Sequence, residues 1–235
     1  MAVSLADMHG VLAFGDSITN GGGELQWGVA LQSWALWTAR GLGLPYTGYA
    51  VDGATAREVV EEQIPRAERV SALGPEARYH LGCLYVGVND VRLDEWEVGG
   101  FAERHRAALA YLTERCERTL VLTAPSPLGR PATPPQRIEE LNAAIEAGAA
   151  AAGALVLDLR DFGARNQVMA DRVHPTAFGQ IAIAERALAL LADDGADVRV
   201  WPSTLISYET TRPRRLQGDI RYAYRAAKRY LPGPD

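Results

Sequence analysis

Short apolar runs alternate with longer stretches of helical periodicity along most of this chain. That alternation is typical of an α/β domain in which helices cover both faces of a mostly parallel sheet. A break in the second helix is expected at Pro65, because proline lacks a backbone N–H. The predicted strands are residues 11–14, 46–51, 81–86, 120–123 and 154–157, and the predicted helices are residues 26–40, 56–72, 98–115, 136–152 and 177–191. The pattern therefore predicts an α/β fold with a central five-stranded sheet.

The composition suits a folded domain rather than a disordered or fibrous chain. Of the 235 residues, 48% are hydrophobic and 23% are charged, which is enough apolar surface for a full core. The net charge of -5 argues against a general nucleic-acid binder, which would present a basic face. No run reaches the roughly 18–20 apolar residues of a membrane span, and polar residues interrupt the N-terminal segment before a signal peptide could form. With only two cysteines, we expect a cytoplasmic protein with reduced thiols.

The C-terminal segment has the opposite charge. Residues 198–235 contain eight basic and three acidic side chains, a net charge of +5. We therefore predict a main domain of residues 1–195 and a basic extension of residues 196–235. Within the extension, apolar residues recur at helical spacing and predict an amphipathic helix, whose apolar stripe is formed by Leu216, Ile220, Ala223, Tyr224, Ala227 and Leu231. Three interpretations stay open for this stripe: packing on the main domain, self-association into a homo-oligomer, or docking to an acidic partner such as a carrier protein or an anionic membrane surface.

Four short polar motifs lie at strand ends or before the last helix, on the edge where open α/β sheets place their ligands. The first strand ends in Gly-Asp-Ser-Ile-Thr, which presents Ser17 at a turn where its own N–H can stabilise an oxyanion. Gly53 and Asn89 follow the second and third strands and are further candidate oxyanion donors. Asp171 and His174 are three residues apart, so the carboxylate can orient the imidazole of a base. Taken singly, Ser17 is equally typical of a helix cap, Gly53 could simply make a turn, and Asn89 in a turn and a His-Pro before a helix are more often structural.

Three other enzyme classes do not fit the sequence. An α/β-hydrolase would carry Gly-x-Ser-x-Gly, whereas Thr19 occupies the last of those positions here. Metal ligands are not clustered, since the four histidines are scattered and no Cys-x-x-Cys occurs. A dinucleotide-binding Gly-x-Gly-x-x-Gly and a P-loop are also absent from the sequence. We therefore expect neither a metal nor a cofactor, and we expect Asp16 and Asp90 to hold their own loops by hydrogen bonds.

The chain resembles the SGNH hydrolases, also called the GDSL esterase/lipase family. The resemblance lies in the order of Ser17, Gly53, Asn89 and the pair Asp171 and His174 along the sequence. The resemblance covers roughly three quarters of the chain. It implies a three-layer α/β/α sandwich with Ser17 as the nucleophile and with Asp171 and His174 as the rest of a catalytic triad. It also implies that Gly53 and Asn89 complete an oxyanion hole with the N–H of Ser17.

The resemblance implies a serine ester hydrolase that acts through an acyl-serine intermediate. An acyltransferase would use the same residues with an alcohol or a sugar in place of water, and the sequence does not separate the two. A binding module without activity is a third interpretation, which the intact set of catalytic residues disfavours. Because no long apolar lid is visible in the sequence, we expect a small or soluble ester as substrate.

Candidate substrate-binding residues follow from their positions in the sequence. Trp27 and Trp96 come after predicted strand ends and are placed to line a cleft. Leu128 lies in the proline-rich loop after the fourth strand, on the expected side of the active site. Arg57 and Arg172 are the cations expected nearest to the cleft, where they would suit an anionic group on the substrate.

Overall fold

The protein is described by a computed structural model that covers residues 8–70, 77–164, 166–208 and 211–228. Its centre is a sheet of five parallel strands in the order β2-β1-β3-β4-β5. The strands are β1 (Val11–Gly15), β2 (Tyr46–Gly48), β3 (Tyr79–Tyr85), β4 (Cys116–Leu122) and β5 (Leu155–Leu157). Every residue of β1 is buried, as expected of a parallel strand that is covered on both faces. The predicted α/β fold with a five-stranded parallel sheet is confirmed.

Helices form a layer on each side of this sheet. Helices α2 and α7 pack against each other in one layer, and α5 packs against α3 and α6 in the other. The helices are α1 (Ser17–Asn20), α2 (Trp34–Leu42), α3 (Ala56–Glu58), α4 (Ile64–Val70), α5 (Val98–Arg115), α6 (Pro135–Ala152), α7 (Ala177–Asp193) and α8 (Arg212–Lys228). Within the described residues, none of them is both long and apolar enough to cross a membrane.

The predicted helix of residues 26–40 is wrong in its first half. Residues 21–33 are irregular, and α2 begins only after Ser33. Trp27 has a positive φ angle of 49°, which a right-handed helix does not allow. Ser33 then caps α2, because its side chain accepts a hydrogen bond from the N–H of Ala35 at 3.1 Å.

The break expected near Pro65 does not end the second helix. Helix α3, a π-helical turn at Val59–Gln63 and α4 follow one another directly. Pro65 is the second residue of α4, so its missing N–H falls at the junction with the wider turn and is tolerated there. The predicted helix of residues 56–72 is confirmed as far as Val70, and residues 71–76 lie outside the described residues.

Gly15 brings the end of β1 against β3. Its φ angle is 148°, and a Cβ at this position would lie 2.3 Å from the carbonyl oxygen of Tyr85. Only glycine fits so close to the neighbouring strand. Gln63 holds Gly15 in place by two hydrogen bonds. Its Oε1 accepts the Gly15 N–H at 3.0 Å, and its Nε2 donates to the Gly15 carbonyl at 2.7 Å. The start of α1 is thereby held at the carboxyl edge of the sheet.

The apolar stripe of the C-terminal helix faces solvent. On α8, the exposed fraction of the side chain is 60% at Leu216, 59% at Ile220 and 65% at Tyr224. The interpretation that this stripe packs on the main domain is therefore wrong for the described residues, and Leu231 lies outside them. Another side of α8 approaches the main domain, since a Cβ at Gly218 would lie 3.7 Å from Nε1 of Trp27. Self-association and docking to an acidic partner stay predictions.

Candidate active site

Ser17, His174 and Asp171 form a hydrogen-bonded chain at the carboxyl edge of the sheet. Ser17 is the first residue of α1, and Asp16 caps this helix by accepting the N–H of Ile18 at 2.9 Å. The Oγ of Ser17 lies 2.8 Å from Nε2 of His174, whose Nδ1 lies 2.9 Å from Oδ2 of Asp171. A carboxylate only accepts hydrogen bonds, so the Nδ1–H group donates to Asp171 and Nε2 is left to accept the serine proton.

Asp171 also shapes the loop that carries His174. Its Oδ1 accepts hydrogen bonds from the backbone N–H groups of Val173 and His174, each at 3.0 Å. The loop is closed by a bond from the N–H of Met169 to the carbonyl of His174 at 2.9 Å. One carboxylate therefore fixes both the path of the backbone and the direction of the imidazole ring.

The pKa values of Asp171 and His174 are shifted in opposite directions. Burial acts to raise the pKa of Asp171, but the hydrogen bonds from His174 and from the backbone N–H of Val173 outweigh it and lower the pKa to about 2. The hydrogen bond to Asp171 raises the pKa of His174 above its usual value, and partial burial opposes that shift. Asp171 thus stays a carboxylate near neutral pH and stabilises the charged form of His174.

Asp16 and Asp90 are buried carboxylates that hold the neighbouring loops. Asp16 caps α1, and the two oxygens of Asp90 accept the N–H of Ala56 at 3.0 and 3.2 Å. Burial raises the pKa of Asp16 to about 7 and that of Asp90 to about 6. Both residues have the loop-holding role that the sequence predicts.

Gly53 and Asn89 lie on adjacent loops that hydrogen bonds tie together. Gly53 is exposed and has a φ angle of 79°, in the left-handed region that favours glycine. The Nδ2 of Asn89 donates to the carbonyl of Ala54 at 3.0 Å, so the neighbouring loop orients this amide. An asparagine amide has two N–H groups, and one of them is left for a ligand. The N–H of Ser17 is at the start of α1, where it has no intrahelical acceptor.

Gly53 and Asn89 also line a cavity of about 510 Å³. The loops after β2, β3 and β4 enclose it, and its other lining residues include Thr55, Arg92, Leu93, Asp94, Thr133 and Arg137. The sequence predictions missed both arginines. Arg92 follows Asn89 by three residues on the same loop, which places it near the site but does not say which way its side chain points. Arg137 lies in the first turn of α6, and nothing in the sequence connects it with the other motifs.

Burial changes the interpretation of two candidate substrate-binding residues. Leu128 is completely buried in the hydrophobic core, so a substrate cannot reach it and its prediction is wrong. Trp96 is half-buried, packs on Phe101 with ring centroids 5.6 Å apart, and donates through Nε1 to Oε2 of Glu140 at 3.1 Å. These contacts give Trp96 a packing role between helices instead of a place in the cleft.

The three remaining candidates lie outside the cavity of about 510 Å³. Trp27 packs on Phe178 and Tyr208, and it lines a second cavity of about 550 Å³ between α8 and the loops of residues 24–27 and 166–170. Arg57 and Arg172 are exposed side chains, and neither lines either of these two cavities. The structure therefore joins Ser17, His174 and Asp171 by hydrogen bonds and places Gly53 and Asn89 on one cavity, which none of these three substrate-binding candidates lines.

This arrangement supplies the parts that acyl transfer requires. A hydroxyl is hydrogen-bonded to a base, the base is oriented by a carboxylate, and N–H donors lie on the adjoining loops. No group of three or more His, Cys, Asp or Glu side chains in the described part of the chain is arranged to hold a metal ion.

Comparison with known proteins gives consistent matches. The model of a family described as GDSL-like Lipase/Acylhydrolase matches residues 13–182. A solved lipase/acylhydrolase from Enterococcus faecalis is 22% identical with a TM-score of 0.61, covering 82% of this chain and 100% of that one. A lipolytic G-D-S-L family member from Veillonella parvula is 20% identical with a TM-score of 0.60, covering 77% and 97%. An acetylxylan esterase from Geobacillus stearothermophilus is 18% identical with a TM-score of 0.55, covering 82% and 98%. The search of curated proteins gave no match.

Proposed function

This chain belongs to the GDSL-like lipase/acylhydrolase family and is an enzyme of the esterase/lipase class, and we propose that it hydrolyses small or soluble esters through an acyl-serine intermediate. The observation that carries the proposal is the chain of hydrogen bonds from Ser17 through His174 to Asp171, with atoms 2.8 and 2.9 Å apart. The matched residues 13–182 lie within the predicted main domain of residues 1–195, and we assign the activity to that domain.

In the first half of the reaction, Ser17 attacks the ester carbonyl while Nε2 of His174 takes the hydroxyl proton. The carbonyl oxygen becomes an oxyanion, which would be stabilised by the N–H groups of Ser17 and Gly53 and by the amide of Asn89. When the intermediate collapses, His174 returns its proton to the leaving alcohol and the acyl group stays on Ser17. Asp171 keeps its negative charge throughout and stabilises the imidazolium form of His174.

In the second half, water attacks the acyl-serine with His174 again as base, and the acid is released. An alcohol or sugar acceptor would give acyl transfer with the same residues, which is the alternative function. The acetylxylan esterase among the similar structures supports acetyl esters as the first substrates to test. Neither half-reaction requires a metal or an organic cofactor.

A product analysis separates hydrolysis from transfer. We expect p-nitrophenyl acetate to give one acetic acid for each p-nitrophenol, and we expect free acid to stay the main product when excess glycerol is added. Chromatography of the products makes the measurement, with a Ser17→Ala sample correcting for the spontaneous reaction. Acetylated glycerol as the main product would make the enzyme an acyltransferase.

Asn89→Ala is expected to lower kcat by roughly 10²- to 10³-fold with little change in KM, because an oxyanion donor acts only once negative charge develops. Steady-state kinetics on p-nitrophenyl acetate measures both constants. Asn166→Ala is the control, since this exposed residue contacts Thr176 Oγ1 through its backbone carbonyl rather than its side chain. An increase in KM at unchanged kcat would make Asn89 a ground-state binding residue and would remove it from the oxyanion hole.

A further inference from the structure

The cavity next to Asn89 is lined by two arginines that have no acidic partner in the described part of the chain. Arg92 and Arg137 both contribute to its wall, with Asp94 as the other charged residue there. Among the described residues, neither guanidinium forms an ion pair with a carboxylate. Arg137 is oriented by a hydrogen bond from its Nη1 to the carbonyl of Leu93 at 2.8 Å. The charged lining of the cavity is therefore positive in a protein whose net charge is -5.

Arg92 lies on the loop that carries Asn89. It ends the short 3-10 turn Asp90–Arg92, and its N–H donates to the carbonyl of Asn89 at 3.1 Å. Its Nε lies 3.4 Å from where a Cβ on Gly129 would be, so the loop after β4 flanks this side chain. The positive charge of Arg92 also reaches His174, where it opposes the rise in pKa that Asp171 causes. Arg92 therefore extends from the same loop as one of the oxyanion candidates.

The layers of the fold indicate which part of an ester this cavity receives. His174 reaches Ser17 from the segment before α7, which belongs to the layer of α2 and α7. The cavity is formed by the loops that lead into α3, α5 and α6, which belong to the opposite layer. The leaving alcohol must lie beside His174, because that residue protonates it. An acyl part on the other side of Ser17 would then lie toward the cavity.

We propose that this cavity binds the acyl part of an ester whose far end carries a carboxylate, with Arg92 as the specificity-determining residue and Arg137 as a second cationic contact. A guanidinium presents several N–H donors in a fork that matches the two oxygens of a carboxylate. The proposal rests on the proposed esterase function and adds the substrate class to it. It also moves the anion-binding role from Arg57 and Arg172, which the sequence suggested, to two residues that line the cavity.

Two aryl esters with the same acyl chain length test this proposal. The mono-p-nitrophenyl ester of adipic acid ends in a carboxylate, whereas p-nitrophenyl hexanoate ends in a methyl group. We expect the wild-type enzyme to have the higher kcat/KM on the adipate ester. We expect Arg92→Gln to lower the adipate-to-hexanoate ratio of kcat/KM by about tenfold, the low end for a charged hydrogen bond because Arg92 is solvent-exposed. The ratio cancels any effect on the pKa of His174, since both esters use the same base.

Two variants complete the experiment. Arg92→Lys should keep part of the preference, because it retains the charge and loses the fork. Arg66→Gln on α4 is the control for net charge, since it removes an exposed arginine away from the cavity. An equal kcat/KM on both esters, or the same fall in the ratio with Arg66→Gln, would overturn the proposal and leave the esterase function standing. Hydrolysis of p-nitrophenyl acetate but of neither six-carbon ester would also overturn the proposal, whereas failure on all three esters would contradict the proposed function itself.

Discussion

Ser17→Ala is expected to lower kcat for ester hydrolysis by roughly 10⁴- to 10⁶-fold while the protein stays folded. The loss is large because the three residues act as a unit, so His174 and Asp171 have no proton to move once the hydroxyl is gone. Folding should be little affected, since the serine is held by backbone contacts: it begins α1, and its carbonyl accepts the N–H of Gly22. Initial rates on p-nitrophenyl acetate and a thermal melt measure the two effects.

Ser203→Ala provides the matched control, because this serine is exposed in the short turn after α7 and should leave the rate unchanged. A Ser17→Ala protein that kept more than a few per cent of wild-type activity at high purity would contradict the nucleophile assignment. A loss of activity together with a collapse of the melting temperature would show that the substitution acted on the fold.

Asp171→Asn is expected to lower kcat by up to about 10⁴-fold, the second largest effect. The amide can keep one oxygen for the backbone N–H groups of Val173 and His174. It then presents an NH₂ group to Nδ1 of His174, which can no longer donate there. The ring takes the tautomer that carries its proton on Nε2, and that nitrogen cannot accept the proton of Ser17. Steady-state kinetics on the same ester measures the loss.

The same substitution changes the pH profile in a defined direction. Activity requires neutral His174, whose pKa is raised above 6.5 chiefly by its hydrogen bond to Asp171. In the wild-type enzyme, activity is therefore lost as the pH falls through this raised pKa. Asp171→Asn removes the cause of the rise, so the midpoint of its residual activity should move to lower pH. Asp161→Asn, at an exposed carboxylate paired with Arg186, should leave the midpoint in place, and an unshifted Asp171→Asn profile would contradict the assigned role.

The central sheet and the triad candidates could be predicted from the sequence because their signals are local. β1 and β3 are nearly continuous apolar runs, since each is covered on both faces. Asp171 and His174 are only three residues apart, so the loop itself brings them together. Ser17 follows the first strand directly, and Gly15 marks the turn that presents it.

Other features depend on contacts between residues far apart in sequence and could not be predicted from local patterns. The irregular segment before α2 is one example. The Oε1 of Gln180 accepts the N–H of Trp34 at 2.7 Å, and its Nε2 donates to the carbonyls of Ile18 and Gly22, each at 3.0 Å. A glutamine on α7 thus satisfies the Trp34 N–H that a longer helix would have paired, and it also binds two carbonyls of the chain before that helix.

The prediction for Leu128 is wrong for a similar reason. A position in a loop near a strand end does not say which way the side chain points. Leu128 turns into the core although its loop is rich in proline, whereas Arg92 lines the cavity next to Asn89. Tertiary packing decides both outcomes, and single-sequence patterns do not encode it.

The most direct test of the central claim is the mass of the protein after reaction with diisopropyl fluorophosphate. The serine oxygen attacks phosphorus, fluoride leaves, and the proton passes to His174, so a stable phosphoryl-serine forms. We expect one diisopropylphosphoryl group per chain, located on Ser17 by peptide fragmentation, with activity lost in proportion to labelling. The Ser17→Ala protein should stay unlabelled under the same conditions. Inactivation with the label on another residue, or full activity in a protein fully labelled at Ser17, would contradict the acyl-serine mechanism.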